Sequence, residues 1–131
     1  MALLTTALAD RPQVDAALAA DRLVVLFLCA AWCDTCRAFR AAAARIAEAH
    51  PDMAFVWLDI EDDAAIVGDV DVENFPTLAI VRGAAVLHFG VSLPHEAGVA
   101  RLVLEMRARD RAAAGIPDAV GAMVAALRDG R

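Results

Sequence analysis

Apolar positions along this chain follow two rhythms, one unbroken and one spaced by three and four. Leu23-Val24-Val25-Leu26-Phe27-Leu28 is a continuous apolar run whose length suits a central strand covered on both faces. Met53 to Ile60 is a second such run, and Phe75-Pro76-Thr77-Leu78-Ala79-Ile80-Val81 reads as a third strand, opened by proline. Arg82-Gly83 then turns the chain into Ala85-Val86-Leu87-His88-Phe89, which makes the last two strands a hairpin. Helical spacing fills the intervals. Val14, Ala17 and Leu18 form one stripe behind a cap at Asp10, with Pro12 tolerated in the first turn, and this helix stops near Asp21. Phe39, Ala42, Ala43 and Ile46 stand at i, i+3, i+4 and i+7 in a helix from Cys33 to about His50, ended by Pro51. Glu61-Asp62-Asp63 reads as the solvated exit of the second strand and the start of a short helix. Val99, Leu102, Val103 and Met106 mark another, begun by Ser92 or Pro94 and stopped by Gly115. Pro117 to Arg128 is a last amphipathic helix, with Val120, Met123, Val124 and Leu127 on one face. Leu3 to Leu8 is a candidate additional first strand.

This order has one consequence for topology. A β-α-β unit makes its two strands parallel, whereas a hairpin is antiparallel. The expectation is an α/β domain built on a mixed central sheet with helices on both faces. A length of 131 residues suits one domain. The division expected is a main domain over residues 1–114 and a helical extension over 115–131 packed on it.

Charge narrows the function. The chain has 12 basic residues, all Arg, against 18 acidic ones, a net charge of −6. Binding nucleic acid needs a basic patch to neutralise phosphates, and an anionic membrane surface needs the same, so neither partner is expected. Hydrophobic residues make up 60%, yet 32 of them are alanine, which carries little apolar area. The longest apolar stretch, Leu23 to Cys33, is far short of the ~20 residues that span a bilayer. The amino-terminal segment lacks a positive leader region and reads as folded rather than as a cleaved signal. The expected compartment is the cytoplasm.

Three cysteines, Cys29, Cys33 and Cys36, lie within eight residues. A disulfide-stapled secreted scaffold would spread an even number along the chain, so this cluster reads as chemistry. Cys33 and Cys36 stand three apart at a strand-to-helix junction, close enough to form a disulfide with little backbone movement. At the helix start, unpaired N–H groups and the positive dipole end favour a thiolate at Cys33. The expected roles are therefore attack by Cys33 and resolution by Cys36, one turn inside. Metal binding would require two further ligands, and no second C-x-x-C or His-x-His exists, so no metal is expected. Cys29 reads as a small buried hydrophobe within its strand. His50, His88 and His95 read as surface or helix-end residues, and the acidic run Asp59, Glu61, Asp62, Asp63 as an exposed strand end.

From about Val14 to Met106 the chain resembles the thioredoxin family. The resemblance rests on the apolar strand leading to Ala31-Trp32-Cys33-Asp34-Thr35-Cys36, on Phe75-Pro76-Thr77, on Gly90 after the hairpin and on the element order. It implies a thioredoxin-like fold with an extra C-terminal helix, and a thiol–disulfide oxidoreductase using the Cys33/Cys36 couple. It implies that Pro76 is cis beside the cysteines, that Trp32 shields the sulfurs, and that Trp32, Phe75, Pro76 and Thr77 form the substrate wall. No bound cofactor is required, because the cysteine pair holds the electrons. The implied partners are a disulfide-containing protein or a small thiol, and an upstream dithiol reductase. Two departures stand out. Typical thioredoxins bury an Asp before the motif and a Lys on the neighbouring strand, and here those positions are Phe27 and Trp57. The inner motif pair is Asp34-Thr35 rather than Gly-Pro, which places a negative charge beside Cys33. The competing reading is a non-enzymatic partner-binding or assembly module on the same fold.

Overall fold

The computed structural model describes residues 3–129. Nine elements follow in order: α1 (Arg11–Ala19), β1 (Leu23–Cys29), α2 (Asp34–Ala49), β2 (Ala54–Asp59), α3 (Ala64–Val67), β3 (Thr77–Arg82), β4 (Ala85–Val91), α4 (Glu96–Arg107) and α5 (Asp118–Asp129). The strands form one sheet in the order β2-β1-β3-β4. β1 runs parallel to β2 and antiparallel to β3, and β3 pairs antiparallel with β4. The α/β class, the mixed sheet and the added terminal helix are as the sequence implies.

The unbroken apolar strands are explained by two cores. Side chains alternate across a strand, so each central strand supplies both faces. Val24, Leu26 and Leu28 of β1 join Val56, Leu58, Ala79 and Val81 under α1, α3 and α5. Val25, Phe27 and Cys29 join Phe55, Trp57, Leu78 and Ile80 under α2 and α4. The two helical stripes read from sequence, Phe39-Ala42-Ala43-Ile46 and Val99-Val103-Met106, both face this second core. Among the described residues no helix is long and apolar enough to cross a membrane.

Four local readings need correction. Leu3 to Leu8 is not a strand; only Leu4 bridges, donating to the Phe55 carbonyl and accepting from Trp57 N–H, both at 2.8 Å. Beyond it the Asp10 carboxylate accepts from Thr5 N–H and Oγ1, at 2.8 and 3.0 Å, and curls the chain away from the sheet. That same bond occupies Asp10, which stands at the N-cap of α1 without capping it through its side chain. α4 begins at Glu96 behind His95, whose Nδ1 accepts the Gly98 N–H at 3.2 Å, and it ends at Arg107 rather than near Gly115. After Arg107 the chain offers only charged residues and alanine to bury, and Ala113 N–H bonds the β4 carbonyl of Val86 instead, at 2.8 Å. Gly90 lies inside β4, opposite Leu78, not after the hairpin.

The hairpin itself turns at Gly83. Its φ of +59° suits glycine, and a Cβ there would meet Asp21 Oδ1 at 2.5 Å. α5 closes the far face: Val120, Met123, Val124 and Leu127 are all buried in the first core, against α3 among others.

Candidate functional site

The cysteines sit where β1 hands over to α2. Cys29 is the last residue of β1, and its carbonyl accepts Ile60 N–H at 2.8 Å. The chain turns at once, with Cys33 N–H donating to the Ala30 carbonyl at 3.0 Å. Cys33 takes the N-cap position of α2 in an extended conformation, and Cys36 falls on the first helical turn. Burial then separates the two sulfurs. Cys33 is half-buried at the rim, whereas Cys36 is 1% exposed.

The electrostatics differ as sharply. The Cys33 thiol is held below its usual pKa, first by the Cys36 backbone N–H, then by the Cys36 side chain, the Thr35 N–H and the charge of Arg37. Burial pushes Cys36 up, and the Cys29 side chain and the Ala30 backbone offset only part of the cost of placing a thiolate in the core. Cys29, wholly buried, is pushed up further still, again by desolvation first and then by the Cys36 side chain. All three thiols are free.

Asp34 does not act on Cys33 as the sequence suggests. Its carboxylate is paired with Arg37, one turn on, and Arg37 also donates to the Ala31 carbonyl. The negative charge is thus answered on the spot, and Arg37 favours the thiolate. Sequence reasoning missed Arg37, although its place three residues after Asp34 on a helix was the signal.

The acidic run after β2 also divides. Asp59 is folded inward, and its carboxylate accepts N–H bonds from Ala31 at 2.7 Å, Glu61 at 2.8 Å and Asp62 at 2.9 Å. Burial works to raise its pKa, but the donors of Asp62, Glu61 and Ala31 outweigh that and hold it below the usual carboxylate range. Asp63 accepts from Asp59 N–H at 2.8 Å and Thr6 Oγ1 at 2.5 Å. The Ala31–Asp59 bond ties the turn before Cys33 to the end of β2. Only Glu61 and Asp62 match the expected exposed strand end.

Phe75–Pro76 is a cis peptide. Pro76 is buried just before β3, where Thr77 pairs with Leu28 of β1, so the proline arrives level with Cys29. Its carbonyl accepts Ser92 N–H at 3.0 Å. Phe75 and Cys33 both pack against the second core, and Trp32, 62% exposed, meets the Phe75 ring edge-on at 5.5 Å. The Thr77 side chain is buried and spent on structure, its Oγ1 donating to the Asn74 carbonyl at 2.8 Å. The structure therefore gathers Trp32, Cys33, Cys36, Phe75, Pro76 and Thr77 at one end of the sheet. Behind Cys36 lies a cavity of about 350 Å³, lined by Cys36, Arg37, Arg40, Trp57, Asp59 and Asp62 among others. Arg40 caps it with its guanidinium 5.0 Å from the centre of the Trp57 ring.

A half-exposed, acidified thiol and a buried one on the first turn of the same helix define a dithiol redox domain. Comparison with known proteins specifies it. The family model described as thioredoxin matches residues 6–94, and the chain belongs to the thioredoxin family. Thioredoxin-2 of Saccharomyces cerevisiae is 32% identical over 81 residues, covering 61% of this chain and 78% of that protein. A thioredoxin H-type of Brassica campestris is 28% identical over 71 residues, 54% of this chain and 58% of its own length. Among solved structures, the Deadhead thioredoxin of Drosophila melanogaster superposes with a TM-score of 0.66 at 19% identity, covering 81% of this chain and 99% of that one. Thioredoxin f2, solved in complex with ferredoxin:thioredoxin reductase, gives 0.67 at 20% identity over 82% and 96%. The protein is accordingly a thiol–disulfide oxidoreductase. The family match ends before α4, so α5 lies outside it.

Proposed function

We propose that Cys33 is the attacking thiolate and Cys36 the resolving thiol of a two-electron disulfide reductase. One observation carries this assignment: the accessible sulfur is also the one that backbone N–H groups stabilise as an anion, while its partner is buried and protonated. Cys33 attacks one sulfur of a substrate disulfide, that S–S bond breaks, and the departing thiolate takes a proton from solvent. Cys36 then loses its proton and attacks Cys33 Sγ in the mixed disulfide. The second substrate thiol leaves, and Cys33–Cys36 is oxidised by two electrons.

Trp32, Phe75 and Pro76 are the proposed substrate wall, with Thr77 holding the turn through Asn74. The substrate class is a disulfide-bearing protein segment or a small-molecule disulfide, reduced without a bound cofactor. The electron donor is an upstream dithiol reductase, a class for which the thioredoxin f2 complex is a precedent. The cytoplasm suits this chemistry, because the chain's cysteines are all at the site and the oxidised pair must be reduced again.

Insulin reduction with dithiothreitol as donor tests the assignment, Cys33→Ser serving as control. The expectation is loss of turnover to background, and activity that survives the substitution overturns the mechanism and favours a partner-binding module. Cys36→Ser is expected to trap the partner as a mixed disulfide on Cys33, since the intermediate no longer collapses. Recovery of free monomer alone under non-reducing conditions counts against a protein substrate.

A further inference from the structure

The third cysteine has no part in this mechanism, yet it lies against the sulfur that does. Cys29 and Cys36 belong to the same buried cluster, at 0% and 1% exposure, and each thiol is near enough to influence the ionisation of the other. Cys36 in turn interacts through its side chain with Cys33. The three sulfurs therefore form a series from the rim inward, Cys33, Cys36, Cys29, with Cys36 in the middle. Packing alone does not ask for sulfur at the end of β1, where alanine or valine would fill the core as a small apolar side chain.

We propose that Cys29 is a third redox residue: Cys36 exchanges its disulfide between Cys33 and Cys29, so that the oxidised protein stores its disulfide in the core and frees Cys33. This rests on the dithiol reading above. The step is an isomerisation. Cys29 gives up its proton to solvent, its sulfur attacks Cys36 Sγ in the Cys33–Cys36 bond, the Cys29–Cys36 bond forms and Cys33 leaves as a thiolate. Two thiols stay oxidised and one reduced throughout, so no outside oxidant is needed.

Direction follows from leaving-group chemistry. Exchange expels most readily the sulfur that best bears negative charge, and Cys33 is the one the helix start stabilises. Burial favours the same product, because the exchange consumes the Cys29 thiol, which cannot ionise in the core, and releases the Cys33 thiol at the rim, which can. Speed works against it, since Cys29 rarely loses its proton. The result is a slow latch. An external reductant reaches the buried bond only after Cys33 attacks Cys36 in reverse.

Two measurements test this. Cys33→Ser leaves only Cys29 and Cys36. Treated with diamide and then alkylated after denaturation, it is expected to lose both free thiols and about 2 Da as a monomer, the signature of an internal disulfide. Retention of both thiols, or oxidation solely to dimers, overturns the proposal. The wild-type protein, oxidised, aged and labelled with iodoacetamide before unfolding, is expected to carry label on Cys33. Cleavage after Trp32 parts Cys29 from Cys33 and Cys36, and sequencing the labelled peptide then distinguishes Cys33 from Cys36. Label found only on Cys29 overturns the proposal as well. Failure of the underlying dithiol reading looks different: Cys29→Ala, which retains Cys33 and Cys36, then forms no disulfide under the same oxidant.

Discussion

Phe27 of β1 and Trp57 of β2 are direct partners across a parallel strand pair, their rings 5.9 Å apart beneath α2. These positions correspond by count to the buried Asp and Lys of typical thioredoxins. An ion pair in a core is a unit whose members cannot be lost singly, because the survivor is left as an unpaired buried charge. Here both are aromatic, and Phe27 also packs on Phe39 and Phe55 at 5.9 and 6.2 Å. No carboxylate therefore stands below Cys36 on this strand to take its proton, in keeping with a thiol whose pKa burial raises.

Phe27→Asp is accordingly expected to destabilise the protein by at least about 3 kcal/mol, through lost packing and a carboxyl held neutral in the core. Disulfide turnover should gain little. Adding Trp57→Lys should recover part of the stability, because the second substitution supplies the missing charge. Denaturant midpoints and insulin turnover of the three variants measure this. A single Phe27→Asp variant that is faster and equally stable contradicts it.

Alkylation rates should separate the thiols by pH. Cys33 is expected to react with iodoacetamide first and to level off at lower pH than a free cysteine, because its pKa lies below the usual value. Cys36 should react only at higher pH, its pKa being raised by burial. Arg37→Ala removes a cation that favours the Cys33 thiolate, so its profile should move to higher pH. Both partners of the Asp34–Arg37 pair are exposed, and added salt should shrink that displacement. Equal rates for Cys33 and Cys36 between about pH 5 and 9 would refute the assignment.

Asp59 anchors the turn that presents Cys33. Asp59→Ala leaves the N–H groups of Ala31, Glu61 and Asp62 without their acceptor and is expected to cost about 2 kcal/mol, water replacing part of the loss. The sign with pH follows from its lowered pKa. The wild-type advantage over Asp59→Ala is full above the unfolded carboxyl value and fades as pH falls through the lower folded one. Urea unfolding of both proteins at neutral and at strongly acidic pH checks it. An advantage that grows on acidification would contradict the assignment.

Features set by local pattern were legible in the sequence. The strands β1, β2 and β3 were readable because two-sided burial keeps polar residues out of their interiors, and the cysteine pair because its spacing coincides with a helix start. What was not legible depends on contacts between distant segments. The Leu3 to Leu8 segment has strand-like composition, but Asp10 recruits Thr5 and breaks it after one bridge. Asp59 looks like its acidic neighbours until the fold brings the Ala31 N–H to it across 28 positions. Cys29 reads as a core residue, and it is one, but nothing in its spacing reveals that Cys36 folds down upon it. The end of α4 was misjudged because Gly115 is a plausible stop, while the helix had already run out of apolar residues to bury after Met106.

The last helix tests whether the chain beyond residue 114 is part of the domain's stability or an appendage. α5 buries Val120, Met123, Val124 and Leu127 in the core it shares with α1 and α3. Two arginines bind its end: Arg11 donates to the Leu127 carbonyl, and Arg128 reaches back to the Gly83 carbonyl of the hairpin at 2.6 Å. Full burial of each such side chain contributes roughly 1.5–3 kcal/mol, less what a compact unfolded chain already buries. Deleting residues 115–131 is therefore expected to lower unfolding free energy by at least about 4 kcal/mol. It would also expose an apolar face that promotes association. A milder variant, Met123→Ala, should lose about 2–5 kcal/mol without changing the chain length. Urea midpoints and light scattering read both effects. A truncated protein that stays monomeric with an unchanged midpoint would mean that α5 adds nothing to the domain's stability and that its apolar face serves something other than this core.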